Sequence, residues 1–134
     1  MRRRVAARIS RELSPHKAPT AAATATSPAN DLALTAYSKG LARDVGRHGI
    51  RVNVVFPGLI HTDALDTRLA AAATASDVTP EAILDQTIAS LDIPLGRAGT
   101  PDDVAALIAF LASRDAAYLT GSQFTVDGGA LPTV

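Results

Sequence analysis

The sequence predicts an α/β fold in which two parallel strands are joined by a right-handed helical crossover. Three observations carry that expectation. An apolar spacing of helical period over residues 34–45 leads into the β-branched stretch IRVNVVF at residues 50–56. Two helical segments, each opened by a threonine and a proline, begin at Thr79 and Thr100. A short strand at Gln123–Val126, within GSQFTVDGG, is then followed by a glycine turn.

In the first segment, Leu34, Tyr37, Leu41 and Val45 recur at helical spacing, while Lys39, Arg43 and Arg47 follow one another at intervals of four on another face. This is an amphipathic helix with a basic, solvated side, and the pattern assigns Tyr37 to the core. Gly49 supplies a left-handed stop, and the basic residues of RHG suit the negative end of the helix dipole. The strand at residues 50–56 is mostly apolar, as expected where both faces of a parallel sheet are covered, and Pro57-Gly58 ends it. Residues 63–79 are rich in alanine and compatible with a helix, before Thr79 and Pro80 restart the pattern as cap and first turn. Ile83, Leu84, Ile88 and Leu91 give this second helix its apolar side. After IPLGRAG, Thr100 caps a helix with Pro101 next and two aspartates in its first turn, the best-defined boundary in the chain.

Residues 14–29 combine three prolines with small and polar residues, so the chain is expected to divide into a basic, Pro/Ala-rich lead at 1–29, disordered or loosely helical, and an ordered domain at 30–134. MRRRVAARISREL has the composition of a transit peptide and also of an ordinary short basic helix, and it lacks the apolar stretch of a secretory signal. The 13 basic and 13 acidic side chains cancel, which argues against a nucleic acid partner held by charge. The absence of cysteine removes disulfides and thiolate metal sites, and His16, His48 and His61 show no metal-ligand spacing. No apolar run approaches the roughly 18 to 20 residues that cross a bilayer. A soluble, cytoplasmic protein without a membrane partner is expected.

Three stretches, GIRVNVVFPGLIHT, IPLGRAGTPDDVAALIAFLAS and YLTGSQFTVDGG, stand in an order and at a spacing that resemble the carboxy-terminal half of a short-chain dehydrogenase/reductase. The resemblance runs from about Leu32 to Gly129 and is nearest to 3-oxoacyl carrier-protein reductases and related alcohol or ketone reductases. It implies part of a Rossmann-like, doubly wound parallel sheet, NAD or NADP as cofactor, a small carbonyl or alcohol substrate, and assembly as a homo-oligomer or with a homologous subunit. It also implies that Pro57, Gly58, Ile60 and Thr62 touch the nicotinamide half of the cofactor. Their place agrees physically, since ligands of open parallel sheets bind beyond the carboxyl ends of the strands. Without the resemblance, a plain strand-to-helix turn is the alternative. The loop after Thr62, with the helix near Pro80, looks like the family's mobile substrate lid, and VDGG like its final strand and turn.

Two features of the family do not appear. A strand, glycine-rich turn and helix for the pyrophosphate is not found before Asn30, so the nucleotide-binding half is apparently missing. The family's catalytic tyrosine and lysine stand four residues apart on the helix before the IRVN strand, where one turn brings the ammonium beneath the phenol. Tyr37 and Lys39 are two apart and diverge by about 200 degrees around a helix. Counting back from GLARDVG places Ser27 at the tyrosine position and Asp31 at the lysine position, so no catalytic residue is assigned. His61, beside Thr62, reads either as a proton carrier or as an exposed turn residue, with Asp63 its candidate partner.

The sequence therefore points to an NAD(P)-dependent oxidoreductase of the short-chain type, by resemblance. The chain is expected to be inactive alone and a poor binder of cofactor, through truncation or a shifted start. The alternative is a non-catalytic remnant that binds a homologous subunit, helped by an unpaired inner edge of its two-stranded sheet.

Overall fold

The computed structural model describes residues 28–131, with side chains from Leu32 onward. The order is α1 (Pro28–Val45), a 3-10 turn (Gly46–His48), β1 (Val54–Pro57), α2 (Asp63–Ser76), α3 (Pro80–Ser90), α4 (Pro101–Ala112), a second 3-10 turn (Arg114–Ala116) and β2 (Gln123–Val126). β1 and β2 form a two-stranded sheet. The Val54 N–H donates to the Ser122 carbonyl at 3.0 Å and the Gly58 N–H to the Val126 carbonyl at 2.9 Å. The partners advance together along the chain, so the strands are parallel, as the α/β order predicts.

The described residues fall into two compact units: the first takes the residues up to Phe56 with Ala106–Phe124, the second takes Pro57–Ala105 with the residues from Thr125 on. In the first unit, α1 turns Ser38 and Ala42 inward, 7% and 5% exposed, with Leu34, Leu41 and Val45 half-buried beside them. Ala42 and the stem of Lys39 lie against Gly121, where an added Cβ would stand 3.3 Å from the Ala42 Cβ and 3.1 Å from the Lys39 Cδ. This close approach selects small residues for the middle of the inward face. Tyr37 is rotated about 100 degrees from Ser38 and is 66% exposed, so the expectation of a core tyrosine is corrected. Lys39, Arg43 and Arg47 are exposed as their spacing predicts. Gly49 ends the helix and its 3-10 turn at φ 71, its N–H returning to the Gly46 carbonyl.

β1 starts at Val54 rather than at Ile50. The Val52 N–H donates to the Thr120 hydroxyl at 3.1 Å, the Asn53 amide donates to the Leu119 carbonyl at 2.9 Å, and the Asn53 Oδ1 accepts from Ser122 N at 3.2 Å. These side-chain bonds stand beside a backbone one, from the Gly121 N–H to the Val52 carbonyl at 2.6 Å, and Gly121 takes a φ of +67 there. In the second unit, Leu65, Leu69 and Ala73 recur every four residues along α2 and are buried, while α2 packs on α3. Each buried leucine contributes about 1.5–3 kcal/mol relative to exposure. Ile93 and Ala98, in the loop before α4, complete this small core.

Candidate functional site

The candidate site lies in the second unit, where β1 ends. Its geometry begins with the chain's exit from the strand. A Cβ at Gly58 would stand 2.6 Å from the Asp127 Cβ and 2.7 Å from its Cα, so glycine is required there by packing on the turn after β2. That turn is itself built from Asp127, whose carboxylate accepts the N–H groups of Gly129 and Leu131, each at 2.9 Å. VDGG is thus a structural turn.

Beyond Gly58 the backbone makes one further parallel pairing. The Gly99 N–H donates to the Leu59 carbonyl at 2.9 Å and the His61 N–H to the Gly99 carbonyl at 2.8 Å, a bridge that places Ile60 opposite Gly99. The pairing directs the N–H and carbonyl of Ile60 away from Gly99. An added Cβ at Gly99 would stand 2.7 Å from the Ile60 Cδ1, so this glycine lets the loop close on the turn. The loop is anchored in turn by Asp103. Its Oδ2 accepts from Arg97 Nη1 at 2.9 Å, Thr100 N at 2.9 Å and Thr100 Oγ1 at 3.0 Å. The Arg97 hydrogen bond first, and those of Thr100 after it, hold the Asp103 carboxyl down at about 2.

Thr62 is the N-cap of α2, extended at φ −139 and ψ 161, and its hydroxyl accepts the Leu65 N–H at 3.3 Å. Having accepted that bond, the hydroxyl keeps its own hydrogen to donate. Asp63 and Asp66 occupy the first turn, where their charge suits the positive end of the helix. His61 Nε2 lies 2.6 Å from Asp66 Oδ1, with the two side chains 47% and 56% exposed. The partner is Asp66 and not Asp63, a correction with a simple cause. Helical side chains tilt toward the N-terminus, so a residue one turn in reaches back to the chain before the cap.

The structure thus brings Pro57, Gly58, Ile60 and Thr62 into one exposed or half-exposed turn at a strand's carboxyl end. The turn offers one main-chain donor and one acceptor at Ile60, an apolar side chain, and a hydroxyl donor at Thr62. That set fits a flat ring carrying a carboxamide, which needs both a donor and an acceptor along one edge. Tyr37 and Lys39 belong to the first unit. Ser27 lies outside the described residues, and Asp31 is described only through the backbone of α1. Residue reading missed Asp66, Gly99 and Arg97. The pattern Thr100-x-x-Asp103 was a usable signal for the anchor, being the spacing of a capping box.

Fold and turn together define the class: part of a Rossmann-like α/β fold, matched by solved structures over most of this chain. A family model described as enoyl-(acyl carrier protein) reductase matches residues 29–130. The chain belongs to the short-chain dehydrogenase/reductase family. It is 44% identical over 103 residues to a 3alpha-hydroxysteroid dehydrogenase of Mediterraneibacter gnavus, covering 77% of this chain and 36% of the relative. It is also 44% identical over 96 residues to the 3-oxoacyl-(acyl-carrier-protein) reductase of Salmonella typhimurium, covering 72% and 34%. Among solved structures, L-sorbose reductase from Gluconobacter frateurii, complexed with NADPH and L-sorbose, superposes with a TM-score of 0.72 at 33% identity, covering 77% of this chain and 39% of that one. The chain spans about a third of the length of these curated relatives.

Proposed function

We propose that this chain carries the nicotinamide-side part of an NAD(P)-dependent oxidoreductase site, one that moves hydride between a carbonyl and an alcohol carbon, and that these residues do not turn over by themselves. The observation that carries the reading is the turn at residues 57–62. The amide of Ile60 faces away from its bridge partner and the Thr62 hydroxyl keeps a hydrogen to donate. The cofactor, when bound, supplies the hydride. The protein residues supply hydrogen bonds to its carboxamide and an apolar surface under the ring, while α2 and α3 form a wall that excludes water. Inactivity follows from the missing pair, because Ser27 and Asp31, at the positions counted for the tyrosine and the lysine, supply neither a phenol nor the ammonium that would stabilise its anion. A cytoplasmic location accords with this reading.

The test is an amide NMR titration of the full chain with nicotinamide mononucleotide and NADPH. Saturable shifts at Ile60, His61 and Thr62 are expected, together with no alcohol oxidation by the purified chain. Shifts confined to other residues would overturn the cofactor reading, and turnover by the chain alone would overturn the claim of inactivity.

A second reading, a non-catalytic chain that associates with a homologous subunit, is favoured by Leu32 and Tyr37, which stand 73% and 66% exposed on α1. Light scattering with a short-chain reductase present tests it. A mixed species that Tyr37→Ser weakens is the expected result, and strictly separate monomers would refute it.

A further inference from the structure

The first unit holds a groove that the oxidoreductase reading does not use. It lies between the residues around Gly49 and those around the second 3-10 turn, with a volume of about 400 Å3. That is within the size range of sites that take small molecules. Arg51 and Arg114 line it, and no carboxylate does.

The donors here are partly preorganised. Half-buried Arg51 directs Nη1 to the Leu119 carbonyl at 3.4 Å and Nη2 to the Ser113 carbonyl at 3.5 Å. These contacts use two of the guanidinium's five N–H groups and restrict its plane, leaving donors over. The Thr120 Oγ1 accepts the Val52 N–H at 3.1 Å, so its hydroxyl hydrogen remains to be given. Arg114 is exposed and makes no salt bridge among the described residues. Ile50, 44% exposed, and Ala117 add an apolar wall beside the two charges.

A guanidinium binds an oxyanion with two parallel, charge-assisted hydrogen bonds, and one already held in place loses less freedom in doing so. The apolar wall gains when covered by hydrocarbon. We propose that this groove binds a small organic oxyanion, a carboxylate or phosphate monoester on a short apolar body, with Arg51 and Arg114 on the anion, Thr120 donating a further bond and Ile50 against the body. The groove shares no residue with the turn at residues 57–62, so either assignment can fail without the other.

The test titrates the full chain, observed by amide NMR, with benzoate, phenyl phosphate and inorganic phosphate, using sodium chloride at matched ionic strength as the control. Saturable shifts at Gly49, Ile50 and Thr120 are expected, with the organic anions binding more tightly than inorganic phosphate. Arg114→Gln is expected to weaken binding about three- to tenfold, and Arg114→Lys to retain part of it. Arg114 is exposed, so both variants are expected to fold, and unchanged shifts elsewhere in the spectrum verify this. The absence of saturable shifts, shifts that chloride reproduces, or affinity unchanged in Arg114→Gln would each overturn the proposal.

Discussion

A methyl group on Gly58 would sit 2.6 Å from the Cβ of Asp127 and 2.7 Å from its Cα, so the exit from β1 closes only around glycine. Backbone as well as side chain would have to shift, and Gly58→Ala is expected to cost about 1–3 kcal/mol, read as a lowered urea midpoint. Asp103 makes a prediction in pH. Its carboxyl falls from 3.8 to about 2 because Arg97 and Thr100 hydrogen-bond the charged form. The stability this adds is full above the unfolded value and is lost as pH falls from about 4 toward 2. Asp103→Asn should therefore flatten the acid limb of the urea midpoint against pH in that window, and an unchanged limb would refute the anchor. The aspartates themselves were legible as first-turn residues. Which of them would hold Arg97 was not, because that depends on where a loop folds back.

Elements were read well where they start with a cap. Thr79-Pro80 and Thr100-Pro101 begin α3 and α4 as expected, since capping is a local interaction between neighbours in the chain. The same locality makes Thr62→Ala a clean probe of α2. It should lose about 0.5–2 kcal/mol and speed amide exchange at Leu65, whose N–H the hydroxyl holds. On α1 the period was legible but the centre of the inward face was not. Tyr37→Ser is expected to change stability by less than about 0.5 kcal/mol. Ala42→Leu, beside Gly121, should cost about 1–3 kcal/mol. Thermal or urea denaturation of the pair decides between the exposed tyrosine and a core one. Hydrophobic spacing favoured the tyrosine because it registers apolar character, whereas the close approach of Gly121 rewards smallness.

In the molecule as a whole, the two-stranded sheet has one consequence for association. Val54 and Gly58 direct their N–H groups to β2, so alternation turns the N–H and carbonyl of Val55 to the opposite edge. Among the described residues no strand pairs there. An open strand edge favours pairing with another chain. The purified chain is expected to associate with rising concentration, measurable by light scattering, and a monomer throughout would count against that edge being available. Pro57, which has no N–H to donate, limits the length of such pairing.

By itself the sequence determined the α/β order, the parallel sense of the strands, the capped helix starts and the family, all of which rest on neighbours in the chain or on long matching words. The tertiary structure alone decided that Asp66 holds His61, that Gly58 and Gly99 are required by packing, that β1 starts late and that Tyr37 faces outward. Each of these depends on which distant segment comes within a few ångströms, and steric fit at that range leaves no periodic trace along the chain.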